Sequence, residues 1–225
     1  MTRVLLCGGG GFGREVLEYL RGDVEAGVLP GLEIGGLLND TASCELLASC
    51  PELPYLGCPQ DFVPATGDAV LITLGSVDLR RRMADTLTAR GVNLYTYAHR
   101  SAWISPSAKL SPGVLVCPNS IVNAGAVLDT NVAVNVFCSI GHGAKVGAHA
   151  VLSPYCALSG NSELGESGFM GTRATLFPGV VLGQGCIVDA HSAVKQSAPA
   201  GKVISVRGQY LVLDNRMLTR KPPAS

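Results

Sequence analysis

Aliphatic residues recur at every sixth position through the second half of the chain. Counting in sixes from Ile104 to Val194 gives sixteen successive positions that are all aliphatic or methionine, without an insertion. A second column, from Ala108 to Ala198, lies four residues after each of these and holds small side chains throughout. Neither the 3.6-residue period of an α-helix nor the two-residue period of a strand produces this pattern.

The six-residue period predicts a solenoid of short strands joined by tight corners. The large aliphatic residue would point into the interior, and the small residue would fit where the walls converge. If three hexads form one triangular coil, residues 18 positions apart stack at about 4.8 Å, which is the strand spacing of a sheet. Because each coil covers the next, burial of the aliphatic column offsets the entropy of ordering the chain.

The N-terminal third alternates between strand and helix patterns. Apolar runs predict strands at 3–7, 34–38 and 69–75, and helical stretches follow the first and third of these. Such alternation predicts a small parallel sheet with helices on both faces. We therefore divide the chain into an α/β domain at residues 1–100 and a β-helix domain with a C-terminal tail at 101–225. The sequence leaves two alternatives for the tail from Arg207: it packs on the β-helix, or it frays.

The first strand runs into a glycine-rich turn at 8–13 that satisfies G-x-G-x-x-G. Glycines there let the backbone approach an anionic group at a helix N-terminus, although a tight turn without a ligand has the same signature. Asp40 at the end of the second strand lies 27 residues after Gly13, further than a dinucleotide site prefers. A domain of this size fits the diphosphate of a nucleotide sugar better than a dinucleotide.

Composition excludes several classes of function. The chain carries 17 basic and 17 acidic residues, so it offers no electrostatic footprint for nucleic acid. No apolar run is long enough for membrane insertion. Eight cysteines without a CxxC pair predict free, mostly buried thiols in a reducing cytoplasm. Four scattered histidines without paired carboxylates or thiols predict no metal site.

The order of these parts is specific to one family. A glycine-rich α/β domain precedes a hexapeptide solenoid, with Asn39-Asp40, Gly75-Ser76-Val77-Asp78, Ala98-His99-Arg100 and Ile140-Gly141-His142-Gly143 at particular places. The chain resembles, over nearly its whole length, the hexapeptide-repeat sugar acyltransferases of the sialic-acid O-acetyltransferase-like and nucleotide-sugar N-acetyltransferase family. This resemblance implies a Rossmann-like N-terminal domain, a left-handed parallel β-helix and a homotrimer with active sites between neighbouring helices.

The resemblance also implies an activity. It predicts an acetyl-CoA-dependent N-acetyltransferase that acts on a nucleotide-linked amino sugar in bacterial surface-glycan biosynthesis. His142 would be the general base for direct attack of the amine on the thioester, since histidine titrates close to working pH. Asn135 would orient the acceptor or the base.

Further residues receive roles from the same resemblance. Asn39 and Asp40 would lie near the nucleobase, Gly10 and Gly11 near the diphosphate, and Phe12 beside the substrate, where relatives commonly carry histidine. Backbone contacts to the pantetheine arm of CoA would come from Gly160, Thr172 and Ala190.

Two residues depart from the family pattern. Gly143 stands where an acidic residue usually follows the base, and Val151 stands where a second histidine is common, although His149 lies two residues before it. Two alternatives therefore stay open: an O-acetyltransferase acting on a sugar hydroxyl, and a non-catalytic binding or scaffold protein that kept the fold. His142 would then be an exposed corner residue.

Overall fold

The computed structural model describes residues 2–206, and the tail from residue 207 lies outside the described residues. The N-terminal part contains four strands and three helices, so the alternation is as predicted, with the short helix α2 and the short strand β4 in addition. These are β1 (Thr2–Cys7), α1 (Gly11–Glu25), β2 (Leu32–Leu38), α2 (Glu45–Ser49), β3 (Asp68–Ile72), α3 (Val77–Ala89) and β4 (Asn93–Leu94).

The four strands form one parallel sheet in the order β2-β1-β3-β4. Successive side chains of β1 point to opposite faces, so Val4 and Leu6 pack with α1 while Leu5 and Cys7 pack with α3. Both faces are therefore covered, which explains why the strands read as continuous apolar runs.

The second part is a parallel β-helix of two-residue strands. In chain order these are β5 (Tyr97–Ala98), β6 (Trp103–Ile104), β7 (Lys109–Leu110), β8 (Leu115–Val116), β9 (Ile121–Val122), β10 (Val127–Leu128), β11 (Ala133–Val134), β12 (Ser139–Ile140), β13 (Lys145–Val146), β14 (Val151–Leu152), β15 (Ala157–Leu158), β16 (Glu163–Leu164), β17 (Phe169–Met170), β18 (Thr175–Leu176), β19 (Val181–Leu182), β20 (Ile187–Val188), β21 (Ala193–Val194) and β22 (Val203–Ile204).

These strands form three sheets, which we call the first, second and third sheet in the order in which the chain enters them. The first sheet runs from β5 to β22 in seven strands, the second from β6 to β21 in six, and the third from β7 to β19 in five. Partners lie 18 residues apart, for example Ala133 and Val151. The series of short parallel strands fits the left-handed β-helix that the family resemblance implies.

The interior confirms both residue columns. The buried cluster contains the large aliphatic residues from Val122 to Val194 and the small ones from Val114 to Cys186. The solenoid begins one hexad earlier than Ile104 and before the expected boundary at 100, because Tyr97–Ala98 already pairs with β8. The last coil is shorter, since Ile187 pairs with Val203, 16 residues later.

Every sixth residue from Gly113 to His191 has a positive φ, between 54° and 78°. These residues stand three positions after each inward aliphatic, at the corners of the coil. Glycine and asparagine are suited to this left-handed conformation, but serine, arginine, phenylalanine, tyrosine and histidine also occupy it here. Each corner therefore demands the same backbone geometry whatever its side chain.

This geometry predicts opposite effects for the same substitution at two serines. Ser167 is at a corner with φ of 54°, and its buried hydroxyl has no hydrogen-bond partner. We expect Ser167→Gly to raise the free energy of unfolding by about 0.5–1 kcal/mol, because it removes both defects. Ser139→Gly, in the extended strand β12, should lower it by about 0.5–1 kcal/mol. Denaturant unfolding measures both, and equal signs would contradict the prediction.

Two buried charged residues join the α/β domain to the β-helix. Arg80 of α3 donates to the carbonyls of Asn131 (2.7 Å) and Gly113 (3.4 Å), and to that of Ile72. Asp23 of α1 accepts from the Tyr97 hydroxyl at 2.9 Å and from the Arg100 backbone N–H at 3.2 Å. The α/β domain therefore packs against the first sheet and its corners.

Candidate active site

A cavity of about 140 Å³ lies at the carboxyl ends of β1, β2 and β3, and its lining includes Asn39 and Asp40. This is the point where the strand order reverses, the usual ligand position in an open parallel sheet. The Asn39 amide is engaged, because it accepts from Gly9 N–H (3.1 Å) and donates to the Thr41 carbonyl (2.9 Å). Asp40 is exposed, and its carboxylate accepts a hydrogen bond from the Cys58 thiol at 3.6 Å.

The glycine-rich turn divides into packed and open positions. Gly8 has φ of +123°, and a Cβ on Gly13 would lie 2.2 Å from the Gly8 carbonyl oxygen. These two glycines are needed for the turn itself. Nothing lies within 4 Å of a Cβ on Gly10, which precedes the first residue of α1, Gly11. Space is therefore open beside Gly10, whereas the Glu45 carboxylate lies 3.3 Å from where a Cβ on Gly11 would be, and no side chain caps the helix.

A second cavity, of about 200 Å³, lies between α1 and the first sheet of the β-helix. It brings together Phe12 and Asn135, two residues predicted from the sequence. Its remaining lining is Glu15, Gly75, Ala133, Val151, Leu152, Ser153 and Phe169. The Oδ1 atom of Asn135 accepts from Val136 N–H at 2.7 Å, which leaves its NH₂ group as the donor available to a ligand.

A larger cavity of about 430 Å³ adjoins the second one. It shares Gly75 and Phe169 with it and extends between the start of α3 and the β-helix, past Arg81, Ser167 and Gln184. The two cavities form one groove along the junction of the two domains. Domain junctions are frequent ligand sites in enzymes of this size.

His142 lies outside this groove. It lies on the corner between the second and third sheets, two residues after β12, and is exposed. Gly160 lies beside it on the next coil, where an added Cβ would be 2.4 Å from the imidazole Nε2. Gly143 occupies the left-handed corner position with φ of +63°. His142 therefore stands away from the groove that contains Phe12 and Asn135.

Thr172 and Ala190 occupy yet another corner. Each follows a strand of the first sheet by two residues, and they are 18 positions apart on neighbouring coils. The backbone N–H of Ala190 donates to the Asp189 side chain at 2.9 Å. A single chain thus presents the predicted CoA-contacting residues on two different corners, with Gly160 on one and Thr172 and Ala190 on the other.

His149 lies outside the linings of the two cavities that form the groove. It lies on the corner between the third and first sheets, where its Nδ1 is 3.0 Å from the Asn131 amide nitrogen that also donates to the Arg80 carbonyl. Burial lowers the pKa of His149, which keeps Nδ1 free to accept. Val151, in contrast, is part of the groove wall.

Several groove residues were absent from the sequence prediction, among them Glu15, Ser153 and Phe169. Glu15 belongs to a helix with polar residues on several sides, and no local pattern indicates which side meets the β-helix. Ser153 and Phe169 could have been found from the 18-residue stacking, because they lie one and two coils beyond Asn135 and Ala133.

The eight cysteines are free thiols, as the sequence predicts, and five are buried: Cys7, Cys117, Cys138, Cys156 and Cys186. Burial, the largest cause, raises the pKa of both Cys7 and Cys117 to about 12. Between residues 2 and 206, no helix combines the length and hydropathy needed to cross a membrane. The same range contains no cluster of three or more metal-binding side chains.

No protein-family model matches the chain. Three solved structures share its fold over most of their length. The acetyltransferase domain of PglB from Neisseria gonorrhoeae FA1090, in complex with acetyl coenzyme A, is 25% identical, with a TM-score of 0.78 over 92% of this chain and 97% of that one. The predicted family resemblance is confirmed. A histidine-to-asparagine mutant of perosamine N-acetyltransferase from Caulobacter crescentus, with CoA and GDP-perosamine, is 25% identical, with a TM-score of 0.67 over 92% and 94%.

The third structure is WeeI from Acinetobacter baumannii AYE, which is 20% identical, with a TM-score of 0.76 over 91% of this chain and 97% of that one. These likenesses extend across both parts of the chain, so the shared fold includes the α/β domain as well as the solenoid.

Proposed function

We propose that this protein is an acetyl-CoA-dependent N-acetyltransferase whose acceptor is a nucleotide-linked amino sugar of bacterial surface-glycan biosynthesis. The observation that carries the proposal is the groove between α1 and the first sheet, which joins an open helix N-terminus to a sugar-sized cavity lined by Phe12 and Asn135. The likeness to an N-acetyltransferase solved with CoA and GDP-perosamine supports the same chemistry.

The α/β domain would hold the nucleotide in the manner of half a Rossmann fold. Asp40 would contact the base in the cavity at the strand ends, while Asn39 holds the glycine-rich turn in place. The diphosphate would lie over Gly10 and Gly11, where free N–H groups and the helix dipole favour negative charge. The sugar would then extend past Phe12 towards Asn135.

His142 would take the proton of the attacking amine. The amine nitrogen forms a bond to the acetyl carbon, the carbon–sulfur bond breaks, and CoA leaves as its thiolate, which a proton then neutralises. Gly160 would give the pantetheine arm access to the backbone beside His142, and Thr172 and Ala190 would contact the arm from another corner.

These roles require more than one copy of the chain, because His142 and the groove lie apart in one copy. We propose a homotrimer in which the base of one copy reaches the groove of its neighbour. The second sheet supports this, since its outward residues are all uncharged: Trp103, Ile121, Ser139, Ala157, Thr175 and Ala193. Trp103 and Ile121 are 61% and 42% exposed, and the third sheet carries Lys109, Lys145 and Glu163 instead.

Acetyl transfer tests the proposal directly. Purified protein is incubated with acetyl-CoA and UDP-, GDP- and dTDP-linked amino sugars, including GDP-perosamine. CoA should be measured by chromatography, because the three partly exposed cysteines, Cys44, Cys50 and Cys58, would react with a thiol reagent. CoA release above the acceptor-free reaction supports the proposal. CoA release only with neutral sugar nucleotides would favour O-acetylation. If none of the acceptors gave CoA release, the result would contradict an enzyme of this class.

A charge on the second sheet should dissociate the trimer. We expect Ile121→Glu to shift the mass in solution towards the monomer, since a carboxylate cannot be desolvated in an apolar interface without a partner. Val181→Glu is the matched control, because Val181 is 43% exposed on the third sheet. Light scattering measures both variants, and a trimeric Ile121→Glu protein would remove the second sheet from the interface.

A further inference from the structure

A carboxylate without a partner lines the cavity between α1 and the first sheet. Glu15 lies in the second turn of α1 and is exposed to this cavity. Its neighbour Arg14 turns to Glu18 (4.0 Å) and Glu45 (3.9 Å) instead. Among residues 2–206, no lysine, arginine or histidine nitrogen lies within ion-pair distance of Glu15.

The residues around Glu15 allow its negative charge to act on a ligand in the cavity. Most of the cavity wall is apolar, formed by Phe12, Ala133, Val151, Leu152 and Phe169. Because an apolar wall beside a carboxylate reduces solvent screening on that side, the field of Glu15 extends into the cavity. The field reaches the groups beneath α1: burial first, and then the charge of Glu15, raise the pKa of Tyr19 and of Cys117 to about 12.

The other polar groups of the cavity suit a neutral ligand. Asn135 offers an NH₂ donor because its oxygen is already bonded, and the Ser153 hydroxyl can donate or accept. Both match sugar hydroxyls. Glu15 is the one group of this cavity lining that would gain from a positive charge on the ligand.

We propose that Glu15 selects an amine over a hydroxyl as the acceptor, an inference that rests on the proposed function. A sugar amine enters as an ammonium and releases one proton to solvent to become the nucleophile. Its nitrogen is positive again once it has bonded to the acetyl carbon, until His142 removes the second proton. Glu15 stabilises both charges. A hydroxyl oxygen is neutral in the acceptor and gains no such stabilisation, so the carboxylate favours N-transfer over O-transfer.

The test compares Glu15→Gln with Glu18→Gln, a glutamate one turn further along α1. Calorimetry measures binding of GDP-perosamine and GDP-rhamnose, which carry an amine or a hydroxyl on the acceptor carbon, with UDP- and dTDP-linked pairs in parallel. We expect the unmodified protein and Glu18→Gln to prefer the amine roughly 10-fold or more, and Glu15→Gln to lose that preference. In transfer assays Glu15→Gln should raise the KM for the amino sugar and leave the KM for acetyl-CoA unchanged.

The outcomes separate this inference from the proposed function. An amine preference that disappears in Glu15→Gln, without CoA release from any acceptor, would refute acetyl transfer and keep the role of Glu15. Acetyl transfer that is equally selective for amines in Glu15→Gln would refute the role of Glu15 alone. Absence of binding by every amino sugar would overturn both.

Discussion

Replacing His142 by alanine should lower kcat/KM for acetyl transfer roughly 10²–10⁴-fold, the usual contribution of a positioned general base. The side chain is exposed on a corner of the solenoid, so the free energy of unfolding should stay within about 0.5 kcal/mol of the unmodified protein. Steady-state rates at saturating acetyl-CoA, together with denaturant unfolding, measure the two effects separately.

His191→Ala is the matched control, because His191 is also an exposed histidine at a corner of the β-helix. It should leave the rate unchanged. Full activity in His142→Ala would remove this residue from the chemistry and leave the groove without its proposed base.

Gly160→Ala offers a second probe of the corner that carries the base and that, in the proposed function, also contacts the pantetheine arm. The added Cβ would lie 2.4 Å from Nε2 of His142, so the imidazole must move while the backbone at residue 160 needs no unusual φ. We expect a loss of roughly 10-fold or more in kcat, because small displacements of catalytic groups are costly. Unchanged activity would mean that the position of His142 is not critical.

Replacing Arg80 by methionine should lower the free energy of unfolding by about 3 kcal/mol. Burial lowers the pKa of this guanidinium to about 9, so it remains charged at neutral pH. It is fully buried and bonded to three backbone carbonyls, two of them in the β-helix. The substitution leaves these carbonyls without a hydrogen-bond donor, and each unsatisfied carbonyl costs about 1–3 kcal/mol. This loss outweighs the free energy gained by no longer burying a charge.

Thermal unfolding should detect this change as a fall in Tm of roughly 10 °C. Arg82→Met is the matched control, since Arg82 is exposed two residues later on the same helix and should change stability by less than about 0.5 kcal/mol. If the Tm of Arg80→Met lies within about 2 °C of the Tm of the control, other contacts hold α3 to the β-helix.

Much of the β-helix is predictable because its structure repeats. Each inward aliphatic sees the same environment as the residue six positions earlier, so the column from Ile104 to Val194 reveals period, interior and register without any tertiary information. The ends break the rule. Ala98 belongs to the first coil although a single alanine gives no periodic signal, and the short coil ending at Ile204 departs from the 18-residue spacing.

The candidate site follows a different logic. The sequence placed Asn39, Asp40 and the glycine-rich turn at the ends of parallel strands, and they meet there because parallel strands end at one edge. Phe12 and Asn135 are far apart in sequence, and their meeting depends on how Asp23 of α1 and Arg80 of α3 hold the α/β domain against the first sheet and its corners.

By itself the sequence determined the solenoid, the alternating α/β domain and the family they resemble, because periodicity and turn chemistry are local properties. Only the tertiary structure decided that Glu15 faces the cavity and that His142 stands away from the groove. These facts depend on which faces of the α/β domain and the β-helix are in contact, and buried polar contacts between residues far apart in the chain make that choice.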